Sequence, residues 1–255
     1  MFFKPLICGF IRIATVLLVV IPIGQTSALT KDKVKEIAFQ TTVLIDQGLQ
    51  KGDVEQRQEF KPGSGVIVFH SENTYYVLTA LHVVSTRGVI YGIRTSDGEV
   101  HLVNDFNTQS NIYPFGIEPV LPEDGVIGFD LAIVKFTSKR TYPIALVANS
   151  ETLKIGDKVF VAGWSEPATK THLWKYRLSQ GSLTQIVNPP SLDGGYSLMY
   201  TNQTHKGMSG GPIFNTNGEL IGIHGRGRGR KNNCSSSKVN ISDRCGIHLL
   251  TFRII

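Results

Sequence analysis

The sequence predicts an all-β protein, built as a barrel or a sandwich. Three observations predict it. Short runs rich in Val, Ile, Thr, Tyr and Phe recur between residues 63 and 224, each bounded by Gly, Asn, Asp or Pro. The chain holds 26 glycines, enough to punctuate many tight turns. No stretch sustains helical periodicity beyond about two turns. With 41% hydrophobic and 18% charged residues in 255, the chain can bury a sizeable core. Its length fits one large domain or two lobes of about 100 residues.

Taken in order, residues 30–54 form a mildly amphipathic lead-in, and 38–45 (AFQTTVLI) is predicted to end it as a strand. A polar loop is expected over 46–62. Strands are predicted at 65–69, 75–79, 89–94, 100–103 and 127–136 in the first half. The second half offers 158–162, 175–178, 181–187, 197–201, 212–214 and 220–224. The boundary between lobes is expected near 140–155.

Residues 1–28 have the composition of a signal peptide. Lys4 and Arg12 precede an apolar run at 13–23, and Thr26-Ser27-Ala28 supplies a small-x-small cleavage site. The alternative is a retained anchor, but eleven residues rise only about 16 Å as a helix against a ~30 Å hydrocarbon core. Cleavage leaves domain 29–255, secreted or periplasmic and free of the membrane. In an exported chain Cys234 and Cys245 are expected to form a disulfide. No metal-ligand spacing and no cofactor motif stands out. The net charge of +6 gathers late, at Arg226, Arg228, Arg230 and Lys231. Glycines alternate with these arginines and no aromatic interleaves them. A solvated loop is therefore expected there rather than a nucleic-acid surface. A monomer is expected.

Three segments carry chemistry. His82 follows the apolar run Val77-Leu78-Thr79-Ala80-Leu81, whose end can hold an imidazole still; a neutral imidazole takes a hydroxyl proton near pH 7. Asp130 opens the apolar run 131–134, so its carboxylate needs a buried partner, and an imidazole N–H is a suitable one. Ser209 sits between Gly207 and Gly210 in a turn that can aim the N–H groups of Gly207 and Ser209 at one point, where an oxyanion would sit.

TALHVV around His82, FDLAIVKF around Asp130, GMSGGPIFN around Ser209 and GSGVIV at 63–68 together resemble the chymotrypsin-like (trypsin-fold) serine peptidases, in their bacterial exported branch. The resemblance spans roughly residues 36–250. It implies two six-stranded antiparallel β-barrels, about 36–145 and 150–250, with the active site in the cleft between them. It implies that His82 is the base, that Asp130 orients it, and that Ser209 is the nucleophile. The N–H groups of Gly207 and Ser209 are the implied oxyanion donors, and the implied substrate is a protein or peptide. Met208 stands where digestive members carry an Asp that pairs with a new N-terminus, so activation of that type is not expected. An inactive binding module is the alternative, though such relatives usually lose one of the three residues.

The resemblance implies a primary pocket comprising Gln203, Thr204, His224, Gly225, Arg226 and Gly227. Gln203 replaces an Asp that would select Lys or Arg. Thr204 and His224 resemble the Thr and His of bacterial glutamyl endopeptidases, with Lys206 and Arg226 adding positive potential. A preference for Glu ahead of the cleaved bond is expected, with a protonated His224 contributing. The competing reading of His224 is a core histidine at a strand end.

Overall fold

The computed structural model describes residues 28–53, 62–104, 111–118, 125–148, 153–166, 174–227, 234 and 244–251. The expected leader, residues Arg228, Arg230 and Lys231, and the loop closed by the two cysteines lie outside the described residues.

The lead-in is helical. Helix α1 runs Lys31–Thr41; the Thr30 side chain accepts the Lys33 N–H at 3.3 Å as its N-cap. Val34, Ala38 and Thr41 are its buried residues, spaced four and three apart as one helical face requires. The strand expected at 38–45 therefore begins only at β1, Thr42–Gln47. The β-branched pair at 41–42 disguised the helix end. Asp46, expected in a loop, belongs to β1 and is buried.

The first lobe contains β1, then β2 (Gly63–Ser71), β3 (Thr74–Thr79), β4 (Ile90–Arg94), β5 (Val100–Asn104), β6 (Ile112–Ile117) and β7 (Ile127–Thr137). Their order in the sheet is β5-β4-β1-β2-β3-β7-β6, all antiparallel where paired. This seven-stranded sheet curls until β5 meets β7, forming half a barrel rather than six closed strands. The extra strand, β6, was not predicted: Pro114 and Gly116 interrupt its pattern, and its register shifts between them.

The second lobe closes. Strands β8 (Lys158–Ser165), β9 (Lys175–Ile186), β10 (Leu198–Tyr200), β11 (Pro212–Phe214), β12 (Leu220–Arg226) and β13 (Arg244–His248) form a barrel in the order β10-β13-β12-β11-β8-β9. Strand β9 is one long strand where two were predicted, because Gln180 and Gly181 continue its pairing with β8. All-β architecture with two lobes is thus as the sequence predicts.

Alternation along the strands builds three apolar layers. Ile67, Val77, Val134 and Phe136 fill the first lobe, and Val159, Val161, Leu198 and Ile213 fill the second. The opposite faces, including Val66, Leu78, Leu131, Phe160, Phe214 and Ile223, share a third cluster between the lobes. That is why the run after Asp130 is almost wholly apolar: both faces of β7 are covered.

Cys234 and Cys245 are disulfide-bonded, and both are buried. Closing a loop with a sequence separation of 11 restricts the unfolded chain. The Cys234→Ala/Cys245→Ala double variant should lose about 2–3 kcal/mol in urea unfolding. An unchanged midpoint would show that the bridge contributes nothing to stability.

Candidate active site

The site starts from a buried charge. Asp130, on β7, is 1% exposed. Its N–H donates to the Gly194 carbonyl at 3.0 Å. One carboxylate oxygen, Oδ1, accepts the His82 N–H at 3.0 Å. The other, Oδ2, lies 2.7 Å from His82 Nδ1 and also accepts the hydroxyl proton of Tyr196. Burial alone would push this carboxyl up. The His82 charge and these hydrogen bonds outweigh it and hold the pKa below the ordinary range.

His82 sits in a 3-10 turn, Leu81–Val83, directly after β3. Leu81 and Val83 are buried in the first-lobe core, and this fixes the turn, while the His82 side chain remains 36% exposed. Desolvation lowers its pKa, but the charge and hydrogen bond of Asp130 prevail and raise it. With a carboxylate on Nδ1, the proton of the neutral ring belongs there, and Nε2 is the free acceptor.

Ser209 lies between β10 and β11. Gly207 and Gly210 adopt φ of +91° and +82°, which other residues resist. A Cβ on Gly207 would stand 2.7 Å from the Trp164 carbonyl, and one on Gly210 would overlap the Ser64 carbonyl and the Thr79 hydroxyl. Ser64, on β2, pins this loop from the other lobe. Its N–H donates to the Ser209 carbonyl at 2.7 Å, and its Oγ donates to the Gly207 carbonyl at 2.8 Å. The same Oγ accepts the Trp164 N–H at 2.8 Å. The N–H groups of Gly207 and Ser209 have no acceptor among the described residues, whereas Gly210 and Gly211 donate to the His224 and Met208 carbonyls. Ser209 Oγ donates to the Gly225 carbonyl at 2.9 Å.

Beside Ser209 opens a cleft of about 370 Å³, lined by Thr204, His205, Lys206, His224, Arg226 and Gly227. Gln203 is exposed and does not line it, which corrects its expected place in the pocket. Gly225 does not line it either; its carbonyl accepts the Ser209 hydroxyl. His224 is 1% exposed, and its Nδ1 lies 2.6 Å from the Tyr200 hydroxyl. Burial first, then the charge of His82, depresses its pKa to about 3. The expected cationic His224 is therefore a neutral ring. Arg226 is not a solvated loop residue: it makes a two-pronged ion pair with Asp193 and lies 4.7 Å over the Tyr196 ring. Lys206 pairs at 3.3 Å with Glu166 at the surface. Thr204 Oγ1 is buried and has no partner among the described residues.

On the first-lobe side of His82 lies a second cleft of about 550 Å³, walled by Leu81, Val84, Ile112 and Ile117 and edged by Arg87 and Glu118. Burial and the nearby Asp130 charge raise the Glu118 pKa. Among the described residues, no group of three or more His, Cys, Asp or Glu could hold a metal ion, and no helix is long and apolar enough to cross a membrane.

Of the residues expected from the sequence, the structure brings His82 onto Asp130 and sets Ser209 beside Thr204, His224, Arg226 and Gly227; Ser64, Asp193 and Tyr196, which make contacts here, were not anticipated. Ser64 lay inside the GSGVIV match, but nothing in one strand reveals a partner in another lobe. Tyr196 follows Gly194-Gly195 in an apparent turn, and no local pattern marks its hydroxyl.

A model of the trypsin-like peptidase domain matches residues 63–223. A glutamyl endopeptidase of Staphylococcus epidermidis is 28% identical over 187 residues, covering 69% of this chain and 58% of that protein. The periplasmic serine endoprotease DegP of Salmonella typhimurium is 28% identical over 193 residues, covering 73% of this chain and 34% of the relative. A glutamyl endopeptidase of Staphylococcus aureus is 29% identical over 174 residues, covering 63% of this chain and 45% of the relative. The match thus spans less than two thirds of these relatives.

Removing the Ser64 hydroxyl strands two buried backbone groups, the Trp164 N–H and the Gly207 carbonyl. Ser64→Ala should destabilise the chain by about 1–3 kcal/mol in urea unfolding. A loss below a few tenths would mean that the hydroxyl is no strut between the lobes.

Proposed function

We propose that this chain, which belongs to the trypsin-like peptidase family, is an exported serine endopeptidase acting through His82, Asp130 and Ser209. The observation that carries the reading is the Nδ1–carboxylate contact of 2.7 Å, which leaves Nε2 to accept a proton. Ser209 Oγ turns from the Gly225 carbonyl toward Nε2 when a peptide enters, since catalytic hydrogen bonds often tighten only with substrate bound. Oγ then attacks the scissile carbonyl carbon, and its proton passes to His82 Nε2. The N–H groups of Gly207 and Ser209 receive the oxyanion. Collapse breaks the C–N bond, His82 returns the proton to the leaving amine, and water hydrolyses the acyl-enzyme by the same route. The alternative of an inactive binding module has no observation in its favour.

Ser209→Ala or His82→Ala should each reduce peptide hydrolysis to near background, and the double variant should lose little more, because these groups act as a unit. A sulfonyl fluoride should label Ser209 alone. A His82→Ala enzyme retaining a tenth of the activity would overturn the assignment of the base. The pH profile follows from the same contacts. His82 must be neutral to act, and Asp130 raises its pKa above the ordinary imidazole value. The acid limb of kcat/KM should therefore lie above that value, with activity lost as pH falls through it. His224, with a pKa of about 3, should contribute no limb in the working range.

We further propose that the cleft of about 370 Å³ takes an acidic side chain, Glu before Asp. Two features support this. Among the described residues, the buried Thr204 hydroxyl has no partner and no carboxylate lines the cleft. A hydrogen bond to a charged group contributes about 1.5–3 kcal/mol. Thr204→Val should therefore cut the preference for Glu over Gln peptides about tenfold or more, with Ala peptides little affected. Equal cleavage of Leu and Glu peptides by the unmodified enzyme would eliminate the acidic preference and leave the peptidase reading intact.

A further inference from the structure

We infer that Tyr196 is a positioning residue for the reaction: its hydroxyl fixes the carboxylate of Asp130 and thereby the ring of His82. This rests on the peptidase reading above and adds a fourth side chain to it.

The geometry has three independent parts. First, the Tyr196 ring is fully buried, and its hydroxyl donates to Asp130 Oδ2, the oxygen that faces His82 Nδ1. A carboxylate rotates about its Cβ–Cγ bond unless both oxygens are held. The His82 N–H holds Oδ1, and Tyr196 and Nδ1 converge on Oδ2. Second, Gly225 leaves room for the ring. Its φ is not in the left-handed region, so its backbone does not demand glycine. Any Cβ there would overlap the Tyr196 ring and stand 2.6 Å from its hydroxyl oxygen. Third, the tyrosine is anchored. The Tyr196 carbonyl accepts the Ser191 N–H at 2.9 Å, and the Gly194 carbonyl accepts the Asp130 N–H at 3.0 Å. Arg226, held by Asp193, covers the ring.

The hydroxyl stays a donor across any working pH. Burial, then the Asp130 charge, pushes its pKa far above the ordinary phenol value. The charged groups around it are Asp130, Arg226 and Asp193; those around His82 are Asp130, Glu118 and Arg226. A donor on Oδ2 draws off some of the charge that would otherwise bear on the imidazolium. Removing it makes Asp130 a stronger partner for protonated His82, so the His82 pKa rises.

Tyr196→Phe keeps the ring and removes the oxygen. The variant should fold, and kcat on peptides should fall about tenfold with KM little changed, as expected for one charge-assisted hydrogen bond. The acid limb should move to higher pH. In proton NMR of the whole chain, the downfield His82 Nδ1–H resonance should shift and its titration midpoint should rise. These signals need no turnover, so they test the coupling even if the peptidase reading fails. That failure would show separately, as no peptide cleavage and no sulfonyl fluoride labelling by the unmodified chain. An active parent whose Tyr196→Phe variant keeps kcat, acid limb and resonance would overturn the inference. A second pair guards against mere packing effects. Tyr196→Ala should be impaired, and adding Gly225→Ser should recover at least threefold, because the serine Cβ would lie 2.6 Å from the lost hydroxyl position. Adding Gly225→Ala should recover nothing. Equal recovery by alanine and serine would assign Tyr196 a space-filling role and sink the proposal.

Discussion

A carboxylate kept charged in an apolar interior must be surrounded by donors, and the Asp130 carboxylate sets this demand for the whole molecule. Its donors come from separate places in the chain. His82 supplies two from the turn after β3, and Tyr196 supplies one from the loop before β10. Satisfying the charge therefore aligns β3 with β7 inside the first lobe and docks the 191–196 loop of the second lobe onto it. The neighbouring backbone follows the same line. Asp193 accepts the Val126 N–H at 2.8 Å, and the Val126 carbonyl accepts the Gly194 N–H at 2.9 Å. Loss of any one donor would leave the others holding an under-satisfied charge, which is why these contacts are coupled rather than additive.

The Ser209 loop obeys a parallel constraint without a charge. Its left-handed glycines let the chain pass so close to Ser64 and Thr79 that side chains are excluded. The close approach then turns carbonyls toward Ser64 and leaves the N–H groups of Gly207 and Ser209 pointing elsewhere. The proposed oxyanion site would in this sense be the unused half of a hydrogen-bond arrangement whose used half joins the lobes. Stability and the proposed chemistry would then draw on the same few backbone groups, so a change at Ser64 is expected to move both.

The sequence was legible where one segment carries its own reason. Residues 212–214 form a strand bounded as predicted, and the runs around His82, Asp130 and Ser209 marked the ends of elements that converge. It was less legible where the reason lies in another segment. Helix α1 shows a three-residue apolar face that the Val-Leu-Ile run beyond it outweighs. Strand β6 is held by its pairing with β7 despite Pro114 and Gly116. Tyr196 and Ser64 reach across lobes, and no window of sequence contains both ends of such a contact. Arg226 was placed in the wrong environment because its partner, Asp193, lies 33 residues away.

That last case changes how the pocket can discriminate. By composition the wall of the cleft is rich in cations and histidine, which suggests recognition by ion pairing. In the fold those cations are already committed, Arg226 to Asp193 and Lys206 to Glu166, and His224 is neutral and bonded to Tyr200. A substrate carboxylate would therefore meet neutral donors, foremost Thr204, inside a field set by compensated pairs. A hydroxyl such as that of Thr204 does not titrate near pH 7, so selectivity resting on it would not follow the protonation of His82. The ion pair of Arg226 serves a different end: it seats a guanidinium over the Tyr196 ring and so ties the wall of the pocket to the Asp130 carboxylate that His82 faces.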